Sequence, residues 1–113
     1  MAELMIIMKS GPREARAGEG LRLSAAMLGM DEPPAMVFLD DGIECLLRGV
    51  FDDPINPEYL RVAADLAGVQ ALSESLRARG IPAEGLEPDL GVELLDMDGL
   101  AEMVREYRSV VAF

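Results

Sequence analysis

The chain has 113 residues, a formal net charge of −11, no histidine and a single cysteine. Its acidity argues against nucleic acid and anionic membranes as partners, because binding to either needs clustered Lys and Arg. Without histidine the chain lacks the usual base of a catalytic triad and the commonest metal ligand, and one cysteine can form neither an internal disulfide nor a cysteine-rich zinc site. The length predicts one domain over residues 1–113.

The first predicted element is a buried strand, Leu4–Met8, where the sequence is continuously apolar. This run is too short for the core of a signal peptide or for a membrane span, and the acidic Glu3 precedes it instead of a basic region. We therefore expect a cytoplasmic protein with a reduced thiol. Lys9–Pro12 ends the strand, and small or apolar residues at three- or four-residue steps predict a helix over Glu14–Leu28.

The middle of the chain predicts a strand, an acidic turn and two helices. The apolar segment Ala35–Leu39 indicates a second buried strand. Asp40-Asp41-Gly42 forms the turn, and Ile43–Arg48 is predicted to be a short helix that carries Cys45. After a proline-containing loop, Glu58–Ala67 is predicted to be a helix, because its leucine and alanines share one face.

The C-terminal half is predicted to add strands and helices in alternation, with one ambiguity. Val69–Leu72 is either a short third strand or the start of one helix that runs to Arg79. A helix, a strand, a helix and a last strand follow: Ser73–Arg79, Gly91–Leu95, Asp98–Tyr107 and Ser109–Phe113. Strands that alternate with helices predict an open, mostly parallel sheet between helix layers.

Polar turns follow the predicted strands, at the edge of the sheet where such folds bind ligands. They form a rim of carboxylates and hydroxyls, and the candidate binding residues in it are Ser10, Gly11, Asp40, Asp41, Gly42 and Ser73. The aspartates are either oxygen ligands for a divalent metal or caps of helix N-termini; they are Asp40, Asp41, Asp96 and Asp98. We favour capping and assign no metal site. No phosphate-binding loop is present in the sequence, and no cofactor is assigned.

Cys45 is the candidate catalytic residue, since a thiolate is a nucleophile and the sequence has no other thiol. The start of a helix lowers the pKa of a thiol, whereas the nearby carboxylates of Asp40, Asp41 and Glu44 raise it. Apolar neighbours on both sides also fit a packed, unreactive cysteine. The residues themselves leave both interpretations open.

Four stretches together resemble the DsrE/DsrF family, which includes the TusB, TusC and TusD subunits of the sulfur relay. They are a helix with glycines, a strand that ends in Asp-Gly, a Ser-Leu-Arg-x-Arg-Gly stretch, and a tyrosine before a terminal strand. In this chain they are Gly18–Leu28, Met36–Leu47, Ser75–Gly80 and Tyr107–Phe113. Their order and spacing are nearest to the TusC/DsrF branch.

This resemblance implies a three-layer α/β/α sandwich with a five-stranded parallel sheet. It implies a homo-oligomer or a hetero-oligomer with related subunits, and transfer of sulfane sulfur between proteins as a cysteine persulfide, with a sulfur-carrier protein as a further partner. Carriers of the family hold their cysteine at the end of the third strand, which falls near Leu72-Ser73 in this chain, where no cysteine is present. The resemblance therefore predicts a supporting subunit of a sulfur relay.

Two alternatives to this role stay open. In the first, the chain is a sulfurtransferase that carries persulfide sulfur on Cys45. In the second, it is an oligomeric module that binds a small ligand or a metal ion at the acidic rim. Whether the chain is an enzyme therefore depends on whether Cys45 is exposed and reactive.

Overall fold

The computed structural model describes residues 2–29 and 33–113, which form a five-stranded sheet with helices on both faces. The strands are β1 (Ala2–Met8), β2 (Ala35–Phe38), β3 (Val69–Leu72), β4 (Glu93–Leu95) and β5 (Tyr107–Ala112). They lie in the order β4-β3-β2-β1-β5, and every strand pair is parallel. The predicted α/β/α sandwich is confirmed, and the ambiguous third segment is a strand.

The α-helices of the described residues are α1 (Ala15–Met27), α2 (Ile55–Leu66), α3 (Ser73–Ala78) and α4 (Met97–Val104). α1 and α2 contact each other and cover one face of the sheet, whereas α4 lies on the other. Short 3-10 helices occupy Asp40–Leu46, Ala83–Gly85 and Pro88–Leu90. Within residues 2–29 and 33–113, no helix is long and apolar enough to cross a membrane.

Side chains of the central strands alternate between two hydrophobic clusters. The cluster under α1 and α2 includes Ile6, Met8, Met36, Phe38, Leu21 and Leu60. The cluster under α4 includes Met5, Val37, Leu72 and Leu100. Leu4–Met8 of β1 and Met36–Phe38 of β2 supply side chains to both clusters, which explains why these stretches are continuously apolar. Full burial of one such side chain stabilises the fold by roughly 1.5–3 kcal/mol, so these two strands supply much of the core.

The segment after β2 differs from the predicted short helix at Ile43–Arg48. It is a seven-residue 3-10 helix, Asp40–Leu46, which begins within the acidic turn. Asp40 has a φ of 49°, and Leu47 is extended and forms an antiparallel bridge with Leu86. Neither the left-handed φ of Asp40 nor the extended backbone of Leu47 is compatible with an α-helix. The residues between them therefore form the tighter turns of a 3-10 helix.

α2 also differs from its prediction, since it begins at Ile55 and not at Glu58. The Asp53 carboxylate accepts hydrogen bonds from the backbone N–H groups of Ile55 at 2.9 Å and Asn56 at 2.7 Å. These bonds satisfy donors that the first helical turn leaves free, and they hold the pKa of the Asp53 carboxyl below its usual value. The additional turn therefore comes from a capping residue in the preceding loop.

Gly42 is buried where the 3-10 segment crosses the end of β1. A Cβ at this position would overlap the carbonyl oxygen of Met8. That oxygen already accepts a hydrogen bond from the Leu39 N–H at 3.0 Å, and the Met8 side chain is fully buried in the core. The backbone of β1 cannot move aside without disturbing the core, so this close approach requires glycine.

We expect Gly42→Ala to lower the free energy of unfolding by at least about 2 kcal/mol, because the clash is relieved only by moving a buried strand. Urea denaturation followed by circular dichroism measures this change. Gly85→Ala is the control, since its Cβ would meet Ile81 and Pro82 at 3.6–3.8 Å, which is ordinary contact. It should change the free energy by less than about 1 kcal/mol. Equal effects of the two substitutions would contradict the role assigned to Gly42.

Candidate functional site

The turns that follow β1 and β2 lie against each other at the carboxyl edge of the sheet. The carbonyl oxygen of Ser10 accepts a hydrogen bond from the Sγ–H of Cys45 at 3.5 Å. The Gly11 N–H donates to Oε2 of Glu14 at 2.6 Å, and Gly11 lies beside the backbone of Asp41. The structure therefore brings the predicted residues after β1 next to the segment that carries the cysteine.

Asp40 connects the turns after β1 and β2 to the residues after β3. Its backbone N–H donates to Oγ of Ser75 at 3.0 Å, and Ser75 is a buried residue of α3. Its carboxylate faces solvent. Asp40 was predicted as a binding residue because of its carboxylate, but in the folded protein it joins the rim through its backbone.

Arg79, at the end of α3, makes a second connection to the segment after β2. It forms ion pairs with Asp41 and with Glu44, the latter at 3.1 Å between Nη1 and Oε2. Ser75 and Arg79 were not among the predicted site residues, although both belong to the stretch Ser75–Gly80 that carries the family resemblance. Their partners lie 35 and 38 positions away in the chain, so no local pattern indicates these contacts.

Ser73 lies directly after β3, as the first residue of α3. Its Oγ donates to Oε1 of Glu74 at 3.1 Å, and Oε2 of Glu74 accepts the backbone N–H of Met97 at 3.0 Å. The bond from Met97 is the main reason why the pKa of the Glu74 carboxyl is lowered. An ionised Glu74 thus joins the start of α3 to the start of α4.

Two further acidic residues of the rim serve the fold in similar ways. Asp96 caps α4, because its Oδ1 accepts the Gly99 N–H at 2.7 Å. Asp41 is paired with Arg79. In the part of the chain that the structure describes, no group of three or more Cys, Asp or Glu side chains is placed to hold a metal ion. The geometry therefore does not favour the alternative of a metal-binding rim.

Cys45 is enclosed by the core, with 1% of its surface exposed. It belongs to the same cluster as its neighbours Ile43 and Leu46. Burial raises the pKa of the Cys45 thiol to about 12, and the negative charges of Glu44 and Glu14 add to this effect. Since the thiolate is the nucleophilic form, Cys45 is a weak nucleophile at neutral pH in this conformation.

Three hollows border these residues. The α2 hollow, about 240 Å³, has Cys45 in its wall together with residues of α2 such as Leu60 and Arg61. The acidic hollow, about 560 Å³, is lined by residues that include Gly11, Glu14, Asp41 and Glu44. The β3 hollow, about 520 Å³, lies at the end of β3 and is lined by Asp40, Leu72, Glu74, Ser75, Arg79 and Met97, among others. Leu72, near which the resemblance puts a carrier cysteine, lies in the wall of the β3 hollow.

Residues 2–113 match the family described as DsrE/DsrF-like. The chain belongs to the DsrE/DsrF-like family. It is also similar to a Pseudomonas aeruginosa protein named Protein TusC homolog, with 33% identity over 115 residues, which cover 96% of this chain and 95% of that protein. The family predicted from the four sequence stretches is confirmed, and the relative agrees with the predicted branch.

Two solved structures share the fold of this family member. The YchN protein from E. coli superposes with a TM-score of 0.84 at 20% identity, and the match covers 100% of both chains. MTH1491 from Methanobacterium thermoautotrophicum, a protein of unknown function, superposes with a TM-score of 0.70 at 17% identity, over 98% of this chain and 99% of that one. At these identities the likeness concerns the fold alone.

We expect the burial of Cys45 to make stability fall as pH rises from about 9 to about 12. The thiol ionises near pH 9.0 when exposed but near 12 in the folded protein, so ionisation favours the unfolded chain across this window and has no effect below it. The full difference corresponds to roughly 4 kcal/mol. Denaturation of wild type and Cys45→Ala at a series of pH values measures it. The wild type should lose roughly 2–4 kcal/mol more than the variant, and parallel curves would contradict a buried thiol.

Proposed function

We propose that this chain is a supporting subunit of a cytoplasmic sulfur relay, which helps a related subunit to pass on sulfane sulfur and does not carry the sulfur itself. The observation behind this proposal is the end of β3, where Leu72 lines the β3 hollow and the next residue, Ser73, offers a hydroxyl but no thiol. A hydroxyl cannot hold persulfide sulfur. Membership of the DsrE/DsrF-like family and the likeness to the TusC homolog support the sulfur-relay role.

Cys45, the one thiol of the sequence, does not take the place of the carrier cysteine that is absent at the end of β3. Cys45 lies on the segment after β2, in a different turn from Ser73, and it is buried. Sulfur uptake needs a thiolate that attacks a sulfane sulfur, and a thiol with a pKa of about 12 supplies very little thiolate at neutral pH. These two facts support a role in which another subunit performs the chemistry.

Exposed apolar side chains at this end of the chain support a protein partner. Met97, in the wall of the β3 hollow, is 53% exposed, and Leu94, three residues earlier on the edge strand β4, is 50% exposed. Contiguous apolar surface of this kind is typical of interaction sites. We infer that a related subunit, in a homo-oligomer or a hetero-oligomer, or a sulfur-carrier protein, docks over this hollow.

A negative charge at Met97, in the wall of the β3 hollow, should prevent the partner from binding. We expect the tagged wild type, purified from its own cells, to bring with it DsrE/DsrF-like or other sulfur-handling chains that mass spectrometry identifies. Met97→Asp should reduce their yield at least about tenfold, because it buries a carboxylate in an apolar contact. The matched control is Leu66→Asp, at a residue of α2 that is 59% exposed and lies away from the hollow.

Two outcomes of this purification contradict the proposal. Equal retention of partners by Met97→Asp and Leu66→Asp shows that docking does not occur at the β3 hollow. A wild type that forms a stable homo-oligomer and returns no sulfur-handling protein removes support for the relay role itself.

Sulfur uptake should depend on a thiol at the end of β3. We expect the native wild type to gain no persulfide on incubation with polysulfide, whereas Ser73→Cys combined with Cys45→Ser gains one. In that variant the new thiolate attacks a sulfane sulfur, a new S–S bond forms, and the shortened polysulfide leaves with the electrons of the broken S–S bond. Intact-protein mass spectrometry detects the added sulfur atom, and Cys45→Ser alone is the control without a thiol.

A second candidate function is sulfur transfer by Cys45 itself. One observation favours it: Cys45 forms part of the wall of the α2 hollow, which opens to solvent beside α2. In this case the wild type gains a persulfide on incubation with polysulfide, and Cys45→Ser does not. That result would overturn the supporting role.

A further inference from the structure

Strand β5 forms one edge of the sheet, and its outer side is open. It pairs with β1 on its inner side, and no other strand of the described residues pairs with it. The Phe113 N–H donates to the carbonyl oxygen of Ile7 at 2.8 Å, so the backbone of Phe113 faces β1. Because backbone groups along a strand point alternately to its two sides, those of Arg108, Val110 and Ala112 point to the open side. All three residues are exposed.

The opposite edge of the sheet is protected against further pairing, whereas this edge is not. β4 has only three residues and begins with the exposed carboxylate of Glu93, and both features discourage another strand. β5 has six residues, contains neither proline nor glycine, and keeps one constant register along β1, so no bulge interrupts it. A long and regular edge of this kind is a template for another strand.

The open side of β5 is complementary to itself. If a second β5 lies antiparallel to the first, with a twofold axis at Val110, then Val110 faces Val110 of the second copy. Arg108 then faces Ala112 of the second copy, and Ala112 faces its Arg108. Each of these facing pairs can exchange two N–H···O bonds. A twofold interface uses the same surface on both chains, so this register satisfies the open backbone groups of all three residues.

The side chains of β5 agree with this register. Val110 is 38% exposed in the single chain, and it would pack against its equivalent, as β-branched residues do across paired strands. The charge of Arg108 is paired with Glu3 at 3.2 Å, and Arg108 would lie opposite Ala112, so no like charges face each other directly. The net charge of −11 on each chain opposes association, but salt screens this long-range repulsion.

We propose that two copies of this chain associate through their β5 strands, antiparallel around a twofold axis at Val110. The two five-stranded sheets then form one continuous sheet. β5 lies at the opposite edge of the sheet from β4, so this association leaves the β3 hollow free for the partner of the proposed function. The edge pairing does not rest on that function, since it concerns backbone groups that no sulfur chemistry involves.

Analytical ultracentrifugation of the purified chain tests the edge pairing. We expect the wild type to form particles with an even number of copies. Val110→Pro should raise the dissociation constant at least about tenfold, because each copy loses the N–H that it donates at the twofold axis. This N–H points away from β1, so the fold should be kept, which circular dichroism checks. The matched control is Val110→Thr, which keeps the N–H and the β-branched shape and should change the constant less than about threefold.

Opposite charges at residue 110 test the twofold axis itself. Val110→Lys alone and Val110→Glu alone should each weaken association at least about tenfold, because each places like charges opposite each other. An equal mixture of the two variants should associate again, since residue 110 of one chain faces residue 110 of the other. This pair of variants also decides the question if Val110→Pro does not fold.

Three results would overturn the edge pairing: a monomeric wild type, equal association of Val110→Pro and Val110→Thr when both fold, or a charge mixture that stays dissociated. Met97→Asp should leave the association of the purified chain unchanged, because Met97 lies at the β3 hollow. If Met97→Asp dissociates the particle and Val110→Pro does not, the copies meet at the hollow and not at β5. Loss of the sulfur-handling partner with the even-numbered particle intact counts against the proposed function alone.

Discussion

The close approach of Gly42 to the carbonyl oxygen of Met8 determines how the carboxyl edge of the sheet is closed. Without a side chain at this point, the segment after β2 can pass directly over the end of β1. That path places the carbonyl oxygen of Ser10 within reach of the Cys45 thiol and directs the apolar side chains of the segment into the core. The close approach at Gly42 and the packing of Ile43 and Leu46 therefore account together for the burial of the cysteine.

The sequence allowed the central strands to be predicted because Leu4–Met8 of β1 and the whole of β2 carry no polar residue and supply side chains to both hydrophobic clusters. The third strand stayed ambiguous, since Val69–Leu72 is short and contains Gln70, and only its parallel pairing with β2 and β4 decides its conformation. The contacts of Arg79 could not be predicted at all. They join positions far apart in the chain. The family resemblance drew attention to the stretch Ser75–Gly80, but it did not indicate which residues Arg79 contacts.

The pKa of the Cys45 thiol could likewise be predicted only in part from the sequence. Its neighbour Glu44 was visible in the sequence as a charge that raises the pKa of the thiol. The larger cause is desolvation, which depends on the path of the whole segment, and a further contribution comes from Glu14 at the start of another helix. A helix N-terminus was expected to act in the opposite direction, but a 3-10 segment with an extended end takes the place of that helix.

The carboxylates and hydroxyls of the rim are mostly bonded within the protein. Glu74 joins α3 to α4, Asp96 caps α4, and Ser75 holds the backbone of Asp40. These bonds shape the β3 hollow whether or not a thiol stands at Ser73, because none of them involves a cysteine. A chain without a thiol at this position can therefore keep the surface around it, and the docking that we propose needs no rearrangement of the hollow.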